Sequence, residues 1–191
     1  MVGIKIIVYK KLPRRLQIRV KLFDRECFPW IYETELRMQK HLDKFSPSVK
    51  NQIGHVCALF NNELAGRIVI MKRKVMFQDQ PIILGGIAGV CVCPVKRKYG
   101  LATRLLKKAM EELKLAGCDI AYLCTDVENQ GYLNLYGKFG FKLLGRPQTY
   151  LSKSGKRYID HDAMIAPVNS TAIFKAVMAG KENLNIGTGN W

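Results

Sequence analysis

The sequence predicts a single α/β (α+β) domain, a mixed and mostly antiparallel sheet flanked by helices. Residues 87–93, Ile-Ala-Gly-Val-Cys-Val-Cys, form a short apolar run stopped by Pro94, whose missing N–H cannot continue a ladder, so they read as a buried strand. Residues 101–116 place Leu101, Ala102, Leu105, Leu106, Ala109, Leu113 and Ala116 at three- and four-residue intervals, with Lys107, Lys108, Glu111, Glu112 and Lys114 opposite. That is a helix lying on a sheet. Ahead of both, apolar runs at 55–60, 64–71, 74–77 and 81–92 alternate with the polar turns Asn61-Asn62-Glu63 and Gln78-Asp79-Gln80, as in an antiparallel meander.

Taken in order, residues 5–22 mix apolar and basic side chains and supply a first strand and part of a helix, broken at Pro13. Residues 30–42 read as a helix, with Ile31, Leu36, Met38 and Leu42 partly in phase, and Ser46-Pro47-Ser48 marks a loop. After the central strand and helix come a strand at 120–124, another at 142–145, a hairpin from 150–151 to 157–159 around Ser152-Lys153-Ser154-Gly155, and a last strand at 163–168. Ser170 caps a short helix to 179 through Ile173, Phe174, Val177 and Met178. Residues 181–191 are a polar tail ending in Trp191, expected to fray or to cover the site.

At 191 residues the chain suits one domain, residues 1–191, with a core that needs no staples. The six cysteines (Cys27, Cys57, Cys91, Cys93, Cys118 and Cys124) contain no C-x-x-C pair and mostly lie in apolar runs, so reduced core thiols, no metal and a cytoplasmic setting are expected. The N-terminus has no long apolar region and no run spans a bilayer, so the chain is expected to be soluble, unprocessed and without a membrane partner. Its formal net charge is +16. Basic residues cluster at 5–21, 96–114 and 138–157, the first and third without an acid. Such a field speeds the arrival of anions. No helix-turn-helix, zinc or aromatic-basic signature accompanies it, so nucleic acid is not the expected partner.

The turn between strand and helix carries the chemistry. First-turn N–H groups of a helix lack intrahelical partners and sit at the positive end of the macrodipole, so they attract anions. Gly100 lets a ligand approach the backbone, and Lys96, Arg97, Lys98 and Arg104 add charge. The turn therefore suits phosphate, yet it lacks the Lys-Ser/Thr of a nucleoside-triphosphate loop and the spacing of the dinucleotide fingerprint.

Arg97-Lys98-Tyr99-Gly100-Leu101-Ala102 resembles the Arg/Gln-x-x-Gly-x-Gly/Ala turn of the GNAT N-acetyltransferases. Downstream, Asn129 is followed by Tyr136 and then Gly140-Phe141, which is similar to that family's second signature. The resemblance implies a strongly twisted GNAT-type sheet, with acetyl-CoA as acyl donor. It implies a cofactor site at Val90, Cys91, Val92, Arg97, Lys98, Tyr99, Gly100, Leu101, Ala102, Thr103 and Asn129. A backbone N–H between Val90 and Val92 would stabilise the developing oxyanion, and Tyr136 would protonate the leaving thiolate.

Within the family, residues 55–168 resemble the aminoglycoside 2′-N-acetyltransferases, through the Gly-Gly-Ile-Ala-Gly-Val-Cys-Val strand, Gly145-Arg-Pro-Gln-Thr149 and Asp160-His161-Asp162. That branch also ends in a tryptophan bordering the acceptor. It places an acid where this chain has Ala88, and another near the final tryptophan, where this chain has Gly189 and Asn190. Acceptor binding is therefore expected from Glu33, Glu35, Asp162 and Trp191. An alkyl amine is mostly protonated at neutral pH, so a base is needed, and His161 beside Asp160 is the expected one. The implied function is acetyl transfer to the primary amine of a small acceptor, an aminoglycoside among the options, with a homodimer left open. The alternatives are a longer acyl donor, a protein amine as acceptor, or a non-catalytic CoA- or nucleic-acid-binding module.

Overall fold

The computed structural model describes residues 3–45 and 49–191, so the loop expected at Ser46-Pro47-Ser48 lies outside the described residues. The apolar runs pair as a meander. β1 (Ile4–Tyr9), β2 (Gln52–Phe60), β3 (Glu63–Phe77) and β4 (Gln80–Val92) are antiparallel neighbours. Their tight turns use Asn61 and Asn62 at φ 51° and 66°, and Gln78 and Asp79 at 48° and 59°. Positive φ at both central residues matches the right-handed twist of the strands, which is why polar residues stand there.

β5 (Ile120–Cys124) then joins β4 in parallel, followed outward by β9 (Ala163–Pro167) and β6 (Lys142–Leu143), both antiparallel to their neighbour. Among the described residues the sheet order is β1-β2-β3-β4-β5-β9-β6. The crossover from β4 to β5 is α3 (Leu101–Leu115). Leu101, Leu105, Leu106, Ala109 and Leu113 are buried against Val56, Ala58, Ile68, Ile70 and Ile87, on the stripe the periodicity predicts. Burying each leucine contributes about 1.5–3 kcal/mol, so this face anchors the domain.

The opposite face carries two separate clusters. One seats α1 (Arg14–Cys27) on Cys57, Leu59, Leu64 and Cys91. The other packs α5 (Thr171–Ala179) and a second sheet, built from β7 (Gln148–Leu151), β8 (Arg157–Asp160) and β10 (Leu184–Thr188) in the order β10-β7-β8. α2 (Glu35–Lys44) follows a 3₁₀ turn at Pro29–Ile31, and α4 (Gln130–Gly137) follows β5. No helix among the described residues is long and apolar enough to cross a membrane.

Four expectations are corrected. The runs at 64–71 and 74–77 are one strand, because the Lys72 ammonium reaches the Ala116 carbonyl at 2.5 Å and Arg73 turns inward, so the charges between the runs have partners and do not break it. The helix expected over 30–42 starts only at Glu35, because the Thr34 hydroxyl accepts from the Arg37 amide at 3.1 Å and fixes the start there. The tail does not fray: β10 adds to β7 in parallel, and Asn190 and Trp191 are buried. Finally, Cys27 and Cys91 are joined in a disulfide, with Cα atoms 6.1 Å apart, so the cysteines are not all reduced core thiols. Cys57, Cys93, Cys118 and Cys124 are free.

Candidate active site

β4 and β5 pair only from Leu84 to Gly86 on one strand and Ile120 to Tyr122 on the other. Beyond that point β4 keeps β3, β5 keeps β9, and a slot opens between them. Just there β4 bulges: Ala88 faces Val69 and Cys91 faces Arg67, so Gly89 and Val90 together oppose Ile68. Gly89 takes φ 56°, which favours glycine. The bulge removes the Val90 amide from regular pairing at the mouth of the slot.

α3 begins at the end of this strand. Gly100 is its N-cap at φ 70°, no side chain caps the helix, and the first turn holds no acid. The first backbone bond runs from the Arg104 amide to the Gly100 carbonyl at 3.1 Å, which leaves the amides of Leu101, Ala102 and Thr103 available to a ligand. A Cβ on Gly100 would meet nothing within 4 Å, so the approach is open. Lys98 and Arg104 are exposed beside it, while Lys96 lies over the Phe60 ring, 3.9 Å from its centroid, and Tyr99 packs edge-on against the same ring. Arg97 donates to the Val92 carbonyl at 3.3 Å, bracing the turn from the strand end. The geometry fits the diphosphate of a CoA thioester: amides at the positive end of a helix, cations around them, and a slot leading away between two strands.

Tyr136 is 7% exposed, edge-on to Phe141 in the core under α3 and α4. Burial pushes its hydroxyl up to about 12, against a lowering hydrogen bond with Thr125, the residue following β5. It therefore keeps its proton at neutral pH, as a donor must. Asn129 caps α4, its side-chain oxygen accepting from the Gly131 and Tyr132 amides at 3.0 and 3.3 Å; that oxygen is committed to the helix.

On the far face the structure redistributes the predicted acceptor residues. Glu33 precedes α2 and pairs with Arg37, and Glu35 accepts from Gln39 at 3.1 Å; both are exposed. Asp160 accepts from the Tyr150 hydroxyl at 2.7 Å and pairs with Lys44 at 3.0 Å. Asp162 accepts from the Gln148 amide at 2.5 Å. His161 stands exposed between them with no side-chain partner among the described residues, so the expected imidazole–carboxylate pairing is not made. His161 lies at the bend between β8 and β9, and the carboxylates on either side turn to Tyr150 and Gln148.

Trp191 lies across β4, where a Cβ on Gly86 would overlap its indole. Arg73 stacks over that ring, 4.1 Å from guanidinium carbon to centroid, and donates to the carbonyls of Ile186, Thr188 and Gly189. Asn190 Oδ1 accepts from the Tyr122 hydroxyl at 2.9 Å and the Cys124 thiol at 3.2 Å. The end of β5 is thus floored by Cys124, Gln148 and Asn190. On the other wall Asp24 of α1 holds Arg67 at 2.6 and 2.8 Å, next to the bulge, where Arg67 Nη2 would lie 3.6 Å from a Cβ on Gly89. Burial raises the Asp24 carboxyl despite its cation. Asp24, Arg67, Arg73, Gln148 and Asn190 escaped the sequence reading. The available signal was an arginine twice interrupting β3, since a charge inside a central strand demands a partner.

A helix N-terminus without a cap, feeding a slot between splayed parallel strands, defines an acyltransferase of the CoA-binding class. The chain belongs to the acetyltransferase (GNAT) family, whose family model matches residues 19–141. A curated relative, the chloroplastic GCN5-related N-acetyltransferase 6 of Arabidopsis thaliana, is 35% identical over 60 residues, a match spanning 31% of this chain and 21% of that protein. The fold is shared with a GNAT family N-acetyltransferase (YhbS) from Escherichia coli in complex with CoA, at TM-score 0.61 and 15% identity, covering 97% of this chain and 90% of that one. It is shared as well with Arabidopsis thaliana NAA60 in complex with a bisubstrate analogue (TM-score 0.59, 19% identity, 87% and 100% covered). The ribosomal-protein-S18-alanine N-acetyltransferase of Escherichia coli is also similar (TM-score 0.57, 16% identity, 88% and 96% covered).

Proposed function

We propose that this chain transfers the acetyl group of acetyl-CoA to the primary amine of a small, weakly charged acceptor. The observation that carries the reading is the open N-terminus of α3 beside the Gly89–Val90 bulge. In it, the amides of Leu101 to Thr103 hold the diphosphate, with Arg97, Lys98, Tyr99 and Gly100 shaping the turn. The backbone from Val90 to Val92 faces the thioester, Cys91 contributing only main chain because its sulfur is bonded to Cys27. Tyr136 returns a proton to the leaving thiolate, and His161, the titratable group left free at the far wall, takes the proton of the amine.

The carboxylates argue against an aminoglycoside. Asp24 is paired with Arg67, Asp160 with Lys44 and Glu33 with Arg37. A polycationic acceptor needs free carboxylates, and the field of a chain of net charge +16 opposes it. A protein amine is the second reading, supported by neighbours named for acting on a ribosomal-protein alanine or solved with a Gag peptide, the latter the NatC complex at TM-score 0.51. The test measures acetyl-CoA binding by calorimetry and turnover against aminoglycosides, polyamines, monoamines with no second charge and peptides. Turnover with such monoamines supports the proposal, and turnover confined to peptides selects the second reading. Tight binding without turnover points to a longer acyl donor or a sensor, and absence of binding overturns the cofactor site.

A further inference from the structure

Four cysteines gather on one face of the sheet. In register, Cys57 of β2 faces Arg67 of β3, Arg67 faces Cys91 of β4, and Cys93 follows two residues along. α1 lays Cys27 over them, bonded to Cys91 across 64 residues of sequence, while Cys57 and Cys93 stay free. We propose that Cys27 and Cys91 form a reversible thiol–disulfide site, exchanging with a small-molecule or protein dithiol, whose state sets how firmly α1 is held over the acceptor side.

The helix has little else to hold it. α1 starts after Pro13 with no side-chain cap, and its first turn carries Arg14 and Arg15, the unfavourable sign for the positive end of a helix. Ile18 and Leu22 are 63% and 49% exposed, so its contacts are confined to the small cluster around Leu16, Val20, Phe23 and Cys27, apart from the main core. Among the described residues, the ion pair of Asp24 with Arg67 and the Arg25 guanidinium over the Tyr32 ring add to them. The disulfide therefore supplies a large share of the attachment, and it lands on the strand whose bulge opens the slot. Closing a long loop is where a cross-link constrains the chain most.

The bonded sulfurs are buried, Cys27 and Cys91 being 8% and 4% exposed, so exchange requires a local opening of α1. A cleft of about 160 Å³ is lined by Phe23 and Glu26 of α1, Leu64 and Ala65 of β3, and the half-buried Cys93. Its lining includes Glu26, next to Cys27, and Cys93, two residues beyond Cys91, so an opening of α1 along this cleft would uncover the bond. In reduction, a thiolate of the incoming dithiol attacks one sulfur of the bond and releases the other as a thiol. The second thiol of the reductant then displaces the mixed disulfide. The protein gains two thiols and the reductant leaves as a disulfide; oxidation runs the same exchange backward.

The test uses the full chain in oxidised and reduced buffers. Thiol labelling under denaturant should count four thiols in the oxidised protein and six in the reduced, out of six cysteines, and a non-reducing peptide map should show residues 27 and 91 linked. Hydrogen exchange across α1 should speed up by roughly tenfold or more on reduction, since its amides then open locally, while α3 and β5 stay unchanged. Cys27→Ala should exchange like the reduced wild type in either buffer, with Cys27→Ser as the polar control. Acetyl-CoA affinity, set on the opposite face, should move less than about twofold. An unlinked peptide map, or α1 exchange identical in both states, overturns the proposal.

Discussion

The proposed donor end of this molecule and its proposed acceptor wall are made by opposite means. The donor end is local: within Val90 to Thr103 a bulge, a proline stop, a left-handed glycine and an uncapped helix follow one another in sequence. The wall is assembled from distant segments: Asp24 meets Arg67, Lys44 meets Asp160, and Arg73 holds the carbonyls of Ile186, Thr188 and Gly189. A ligand site made of backbone amides tolerates varied side chains, because only the chain's path matters. One made of buried charges fails as a unit, because each loss leaves a group unpaired.

The largest effect should follow from breaking the wall at Arg73. Arg73→Met removes the donors to those carbonyls and the stacking on Trp191, costing about 3–5 kcal/mol. At roughly 2–4 °C per kcal/mol for a chain of this size, Tm should fall by about 10 °C. In a Trp30→Phe background, which removes the exposed indole, Trp191 emission should shift to the red; an unchanged Tm and spectrum would show that the tail holds itself. The pair Lys44 and Asp160 should matter less, being partly solvated.

The wall should also be the acid-sensitive part. His55 on β2 is buried, accepts from Gln52 at 2.9 Å and neighbours Arg67, so its pKa is lowered to about 4 by burial first and the guanidinium second. Between that value and the ordinary value of 6.5, the unfolded chain binds a proton that the folded chain refuses. This contribution is complete above pH 6.5 and is lost as pH falls toward 4, by up to about 3 kcal/mol at one pKa unit per 1.36 kcal/mol. Asp24, raised by burial, works against the loss. Chemical denaturation from pH 7 to 4 should show the slope in the wild type and a flatter one in His55→Gln; equal slopes would remove His55 as the cause.

These contrasts explain what the sequence disclosed. The stripe of α3, the meander turns and the left-handed turn before α3 were legible because each is decided by neighbours in the chain: Leu105 and Leu106 are buried by periodicity, and Gly100 stands where φ is positive. Trp191 was expected to border the site, but not the means of holding it, because Arg73 and the tail are more than a hundred residues apart. The Asp160-His161-Asp162 run read as one cluster. The bend between β8 and β9 instead turned the carboxylates to Tyr150 and Gln148 and left the imidazole exposed and unpaired with them. Cys27 and Cys91 gave no signal either, for spacing in sequence does not report which helix covers which strand.

Two milder substitutions address the donor end. Tyr136→Phe removes the proposed acid and leaves the ring in the core beside Phe141. It should lower kcat about 100-fold, in the range seen when a positioned acid is lost, with acetyl-CoA affinity within about twofold; full turnover would return Tyr136 to a packing role. The smallest effect belongs to Gly100→Ala. The site has room for the methyl group, since nothing lies within 4 Å, but φ 70° strains an L-residue by about 1–2 kcal/mol. Should the turn keep its shape, Tm falls by a few degrees, at roughly 2–4 °C per kcal/mol, and affinity holds. Should it relax toward negative φ, the amides of Leu101 to Thr103 swing away and acetyl-CoA affinity drops about tenfold with little change in Tm. Either result separates the turn's conformation from its side chains. A variant altered in neither would mean that the donor is bound elsewhere than at this helix end.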